Sequence, residues 1–251
     1  MKIAVLQSPS PAGDPDWAFA QIATALNAAG AAGTAVLVAP EAYLPGYNND
    51  HIAALAQTQT GDWMQHLSTL CRHANCGLVI GYGERDGAQV YNAAVAFDAT
   101  GAQIAQYRKI QLYGAREAAL YTAGAQFSVF DLGGIKAALL ICYDIEFAPH
   151  IAALAALGVN VILVPTANMV PFTHVAAYTV PAMAANYAVS IAYANYCGSE
   201  GDLTYTGNSV ITGPHGEVLA QAGAHPALLI AELPAPDPAR LSTQALDLRS
   251  I

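Results

Sequence analysis

Three side chains in this sequence have the chemistry of a nucleophile, a base and a cation, and each stands where an apolar run stops. The run Lys136-Ala-Ala-Leu-Leu-Ile-Cys142-Tyr-Asp-Ile-Glu-Phe147 ends its hydrophobic stretch at Cys142. The run Ala35-Val-Leu-Val-Ala-Pro40 delivers Glu41, and the segment ending Tyr107-Arg108 delivers Lys109. A thiol at a strand tip, before the positive end of a following helix, is expected to favour its thiolate. A cysteine nucleophile needs a base, and histidine is the usual one. The histidines stand at 51, 66, 73, 150, 174, 215 and 225, and none closes a strand-like run, so Glu41 is the better partner. Partial burial of a carboxylate held behind Pro40 would lift its pKa toward the range of a general base. Lys109 is one of three lysines, with Lys2 and Lys136, and its neighbourhood is apolar, where a charge is costly unless used or paired. Its ammonium suits a developing oxyanion. Taken singly, each residue also has an ordinary reading: a capping or surface Glu41, a solvated Lys109, a buried structural Cys142.

Periodicity supplies the elements that must position these groups. Strand-like runs fall at 2–7, 35–39, 77–83, 90–98, 102–107, 127–131, 135–141, 159–164, 188–194, 208–212 and 227–232. Helical patterns fall at 15–30, 61–74, 147–157 and 174–186. Ala99-Thr100-Gly101 reads as a hairpin turn, and Gly213-Pro214-His215-Gly216 as another, leading into 217–221. Two helices accompany the early strands and two the later ones, so the chain reads as two similar halves with mixed sheets in a layered α/β fold. The 251 residues suit one large domain or two small ones, and no Ser/Gly/Pro-rich linker divides them. Leu233-Pro-Ala-Pro-Asp-Pro238 marks the end of the core. A single domain over 1–251, with a C-terminal arm from about 233, is therefore expected.

Charged residues are 11% of the chain and hydrophobic ones 55%, against about 25% charged in an ordinary domain. That favours a homodimer or higher homo-oligomer, although alanine inflates the hydrophobic count without adding sticky area. A net charge of −9, with nine scattered Lys and Arg, argues against nucleic acid as a partner. The apolar runs are too broken by Pro, Asn and Gly for a membrane helix, and the N-terminus reads as a strand rather than a signal peptide, so the expected location is the cytoplasm. Cys71 and Cys76, with His66 and His73 nearby, match no common zinc spacing, and no metal site is expected.

Taken together, Pro40-Glu41, Tyr107-Arg108-Lys109 and Cys142-Tyr143-Asp144, in that order, resemble the three signature motifs of the carbon–nitrogen hydrolase (nitrilase) superfamily. The separations, 68 residues from Glu41 to Lys109 and 33 from Lys109 to Cys142, are usual for it. Tyr91-Asn92-Ala-Ala-Val, Leu112-Tyr113-Gly114, Val164-Pro165-Thr166-Ala167 and Gly207-Asn208-Ser209 with Gly213-Pro214 support the likeness, which spans nearly all of 1–232. The resemblance implies a four-layer αββα sandwich and a Glu-Lys-Cys triad, here Glu41, Lys109 and Cys142. It also implies a second active-site glutamate, for which Glu117 in Arg116-Glu117-Ala-Ala-Leu-Tyr121 is the candidate.

Cys-Tyr-Asp looks like the amidase branch: hydrolysis of a small carboxamide to acid and ammonia through a cysteine acyl-enzyme, with neither metal nor organic cofactor. A nitrilase and an N-carbamoyl hydrolase are the alternatives, and a non-catalytic small-molecule binding protein on the same scaffold is the alternative of another class. From their places beside the motifs, Tyr47, Tyr113, Tyr143, Ala167 and Asn168, with Met169, are expected around the substrate. No cation except Arg116 waits for a substrate carboxylate, which disfavours monoamides of dicarboxylic acids. The chain departs from relatives in two helices. Phe147-Ala148-Pro149 replaces a frequent Phe-Pro-Glu, and Ala182-Met183-Ala184-Ala185-Asn186 replaces Arg-Ala-x-Glu-Asn, as though a structural ion pair had been lost from both sides together.

Overall fold

Alternation along the first strands sorts their side chains onto two faces. In β1 (Lys2–Gln7), Ile3 and Val5 join one buried cluster while Ala4 and Leu6 join another, as a period of two requires. In β2 (Val36–Val38), Val36 and Val38 follow the first set and Leu37 the second. The second set packs under α1 (Pro15–Ala31), whose entry is fixed by Asp14 accepting a hydrogen bond from the Trp17 N–H, with Pro15 opening the first turn. The first set faces another sheet. The computed structural model describes residues 1–249 of this arrangement.

Further along the chain come α2 (Ile52–Leu55), α3 (Asp62–Ala74), β3 (Gly77–Asp86), β4 (Gln89–Phe97), β5 (Gln103–Arg108) and α4 (Gly114–Leu120). They are followed by β6 (Ser128–Leu132), β7 (Ile135–Leu139), α5 (Ala148–Ala156), β8 (Val161–Pro165), α6 (Val180–Tyr187) and β9 (Ser190–Ala194). The last elements are β10 (Ser199–Glu200), β11 (Leu203–Thr204), β12 (Val210–Thr212), β13 (Val218–Gln221), β14 (Ala227–Glu232) and α7 (Gln244–Asp247). One six-stranded sheet has the order β14-β1-β2-β3-β4-β5 and the other β13-β12-β9-β8-β7-β6. Each is mixed: β1, β2 and β3 are parallel neighbours, as are β7, β8 and β9, and the remaining pairs are antiparallel. The sheets face each other, α1 and α3 cover one outer face, and α5 and α6 the other. The fold is the expected α/β sandwich of two mixed sheets flanked by helices, αββα.

Two expectations change. The halves are not simply consecutive, because β14 returns to the first sheet and pairs antiparallel with β1, from Lys2 opposite Glu232 to Gln7 opposite Ala227. The helix expected over 174–186 is broken into a π-helical turn, Val175–Thr179, followed by α6. Pro181 in the first turn of α6 has no N–H to continue the ladder, and the Val180 N–H bonds back to the Val175 carbonyl instead. Beyond β14 the chain leaves the sheet, with the Leu233 N–H on Met1 O and the Asp237 N–H on His215 Nε2. Among the described residues no helix is long and apolar enough to cross a membrane.

Candidate active site

Glu41 follows β2 through Ala39 and Pro40. The turn is pressed onto β3, where the Ala39 N–H donates to Val79 O and the Gly81 N–H to Pro40 O. Only glycine fits at 81, since a Cβ there would stand 2.3 Å from Ala42 N and 2.6 Å from Glu41 Cα. The Glu41 carboxylate is fully buried. Its Oε1 accepts from Lys109 Nζ at 2.6 Å and from Asn92 Nδ2 at 2.7 Å, while Oε2 is buried without a partner among the described residues. Burial raises its pKa to about 7. Lys109 pulls it down, Glu117 pushes it up and the Asn92 hydrogen bond pulls it down.

Lys109 leaves β5 on the same side of the sheet. β5 is antiparallel to β4 and β4 to β3, so β5 runs with β2 and the two strands end together. The Lys109 backbone is clamped, its N–H on Asn92 O at 2.8 Å and its carbonyl accepting from the Gly124 N–H at 2.7 Å. Nζ, fully buried, donates to Glu41 Oε1 and, at 2.8 Å, to Glu117 Oε1. Burial works against its charge, but the two carboxylates outweigh that and hold the ammonium protonated. Two of its three hydrogens are used in this way, leaving one.

Glu117 lies on α4 and is fully buried. Oε1 also accepts from the Tyr47 hydroxyl at 2.7 Å, and Oε2 accepts from the Tyr113 N–H at 2.8 Å. Arg116 next to it turns away, with Nη1 on Tyr47 O at 2.9 Å and Nη2 3.8 Å from Asp50.

Cys142 opens a 3₁₀ turn, Cys142–Glu146, and β7 ends earlier than the expected residue 141. Its φ of +45° is a conformation that a residue with a Cβ adopts only when its surroundings impose it. Asp144 imposes it. Its buried carboxylate accepts from the Ile141 N–H at 3.0 Å, the Gln111 N–H at 2.8 Å and the Tyr107 hydroxyl at 2.9 Å. The cysteine turn is thereby stitched to the segment that carries Lys109. Burial pushes the Cys142 thiol well above its ordinary pKa and the Glu41 charge adds to this, against Lys109 and the Ala167 backbone amide. The expectation of a resting thiolate is corrected. The helix that follows is one short 3₁₀ turn, and in a desolvated site beside a carboxylate it does not offset the cost of a second anion.

The sulfur opens into a cavity of about 230 Å³. Tyr47, Tyr113, Tyr143, Ala167 and Asn168 border it together with Cys142. Asn168 is fixed by its N–H on Asn195 Oδ1 at 2.8 Å and its Nδ2 on Phe172 O at 2.9 Å. Three further wall residues, Glu146, Phe172 and His174, escaped the sequence reading. So did Asn92 as a partner of Glu41, although a buried amide within an apolar strand was its available signal. Cys71 and Cys76 are buried free thiols, and among the described residues no group of His, Cys, Asp and Glu is arranged to hold a metal ion. A neutral thiol, a carboxylate titrating near neutrality and an ammonium with one free hydrogen are the parts needed to attack an electrophilic carbon and stabilise the resulting anion.

Comparison with known proteins bears on which carbon. The family model described as carbon-nitrogen hydrolase matches residues 2–240. A Pseudomonas protegens protein called hydrolase in pqqF 5'region is 42% identical over 203 residues, covering 79% of this chain and 71% of its own. An (R)-stereoselective amidase of Pseudomonas sp. is 32% identical, covering 93% of this chain and 85% of its own. An amidase from Nesterenkonia sp. AN1 superposes with a TM-score of 0.90 at 34% identity, covering 99% of this chain and 96% of that one. That structure carries acrylamide, joined by Michael addition, at its active-site cysteine, and an alanine mutant of the same protein was solved in complex with butyramide.

Proposed function

This chain belongs to the carbon–nitrogen hydrolase family and is an amide-hydrolysing enzyme, and we propose that it converts a small carboxamide to acid and ammonia through an acyl-enzyme on Cys142, with Glu41 and Lys109 as base and cation. Glu41 takes the thiol proton as sulfur bonds to the amide carbon and the carbonyl π electrons move to oxygen. The third Lys109 hydrogen and the Tyr143 backbone N–H hold that oxyanion; one such donor is typically worth about 3–4 kcal/mol. Collapse breaks the C–N bond, and the proton on Glu41 passes to the departing nitrogen. Water then attacks the thioester, giving a proton to Glu41 and displacing the sulfur, which recovers that proton as the acid leaves.

The observation that carries this reading is Lys109 Nζ bridging Glu41 and Glu117 beside a strained Cys142 at the wall of one cavity. A neutral resting thiol gives Glu41 a real task, and a pKa of about 7 suits it. Glu117, anchored by Tyr47 and the Tyr113 N–H, orients the amide nitrogen or the water. The butyramide complex of the Nesterenkonia amidase supports a small aliphatic acyl group, for which the five wall residues Tyr47, Tyr113, Tyr143, Ala167 and Asn168 form the pocket. We take the working unit to be a cytoplasmic homo-oligomer, its interface drawing on exposed Tyr178, Leu246 and Leu248. Light scattering at a single monomer mass counts against that assembly.

Ammonia release from aliphatic amides, compared with the matching nitriles and with Cys142→Ala, tests the reaction. Turnover of amides by the native protein and none by the variant is expected. Nitrile turnover without amide turnover overturns the proposal.

A further inference from the structure

One charged group on the cavity wall takes no part in the reaction just described, and the argument from it rests on that amide-hydrolase reading. Glu146 closes the 3₁₀ turn that Cys142 opens, borders the same cavity and is partly buried. It enters none of the ion pairs found among the described residues. Burial raises its pKa, the charges of His174 and Lys109 act against that, and no hydrogen bond is among the influences on it. A carboxylate with free acceptor capacity therefore borders the cavity that Cys142 also lines.

The nearby cations, Lys109 and Arg116, do not line the cavity. Lys109 is divided between Glu41 and Glu117, and Arg116 is held on Tyr47 O. A substrate carboxylate in the cavity would meet Glu146 with neither Lys109 nor Arg116 on the wall to offset it. Much of the remaining wall is aromatic: Tyr113 stands edge-on to Tyr143 at 5.3 Å and to Phe172 at 6.0 Å between ring centres, and Tyr47 adds a fourth ring. Ring faces attract cations, and a carboxylate adds a charge-assisted hydrogen bond. An acid and aromatic rings on one wall have the chemistry that suits an ammonium. His174, edge-on to Phe172 at 6.3 Å, lines the same wall and acts by charge on Glu146.

We propose that the preferred acyl group carries an ammonium: small amino amides are the substrate class, Glu146 selects them, and monoamides of dicarboxylic acids are rejected.

Three compounds test this: butyramide, 3-aminopropanamide, in which an ammonium replaces the terminal methyl group, and succinamate, which ends in a carboxylate. Near neutral pH the native enzyme should show kcat/KM about tenfold or more higher for 3-aminopropanamide than for butyramide, with succinamate below both. Glu146→Gln should lower the 3-aminopropanamide-to-butyramide ratio by about tenfold. A native ratio near one, or an unchanged ratio in Glu146→Gln, overturns the proposal. The native ratio needs no variant to fold. Calorimetric titration of Cys142→Ala with the same compounds reads the charge preference without turnover. Preference in binding with no turnover by the native enzyme sinks the amidase proposal and keeps Glu146 as the selector of an ammonium ligand; turnover without preference overturns the selection by Glu146 and keeps the amidase proposal.

Discussion

Replacing Asn92 by leucine, close to it in shape, removes one neutral hydrogen bond from Glu41 and little else. Glu41 Oε1 keeps the Lys109 ammonium at 2.6 Å and loses the Asn92 amide at 2.7 Å. The backbone carbonyl of residue 92 still receives the Lys109 N–H, so the clamp on Lys109 survives. A hydrogen bond to a charged group contributes roughly 1.5–3 kcal/mol, and one pKa unit corresponds to about 1.4 kcal/mol, so the loss is worth about 1 to 2 units. The bond favours the ionised carboxylate, so its removal favours the acid, and the Glu41 pKa moves up from about 7. With Glu41 as the base, the acid limb of the kcat/KM profile reports that pKa in the free enzyme. Initial rates of ammonia release across the pH range should place the native limb near 7 and the Asn92→Leu limb about one unit or more higher, with the plateau largely retained. A limb that stays in place while the plateau drops refutes the reasoning, for Asn92 would then only support β4. Stability carries the same sign. A carboxyl raised on folding contributes stability that is complete below its ordinary 4.5 and is lost as pH rises through about 7, so the native urea midpoint should fall across that window.

Asp144→Asn sets an amide N–H₂ against the Ile141 N–H or the Gln111 N–H, both now held by the carboxylate; urea unfolding should show a loss of about 2–4 kcal/mol, with kcat falling more than KM rises. An unchanged midpoint would show that the cysteine turn is held by something else. Gly81→Ala drives a methyl group into the backbone at Glu41 and Ala42 and should lower the melting temperature by several degrees, corresponding to about 1–3 kcal/mol or more. A native melting temperature would mean that the turn can retreat at no cost. Ala185→Glu puts a single charge back on α6, where Ala185 is partly buried beside Gly216; it should cost about 1–3 kcal/mol, whereas Ala182→Arg, at an exposed position, should be close to neutral. An unchanged melting temperature in Ala185→Glu would count against the loss of a structural ion pair.

Where residues bury apolar faces, the sequence made the elements legible. The continuous apolar runs at 2–7 and 35–39 placed β1 and β2, and the helical pattern at 15–30 placed α1. Helix α4 was missed, though its Glu117 was not, for a physical reason: the one side chain it buries is that carboxylate, so no apolar stripe announces it. The pair β10 and β11 has two residues per strand, too few for any period. The candidate site divides along the same line. Glu41, Lys109 and Cys142 sit at the ends of recognisable strands. Asn92 meets Glu41 only through the β3-β4-β5 register, and Glu146, Phe172 and His174 share a wall only once the chain has folded. The thiolate expectation failed because burial and the neighbouring carboxylate, which a single segment does not display, outweigh a short helical turn.

The most direct test is intact-mass analysis of enzyme quenched in acid during turnover of butyramide, followed by peptide mapping. An acyl adduct on Cys142, absent from Cys142→Ala and hydrolysed with time in the native protein, is the expected result. Ammonia released at a native rate by Cys142→Ala, or an adduct mapped to another residue, would contradict the account.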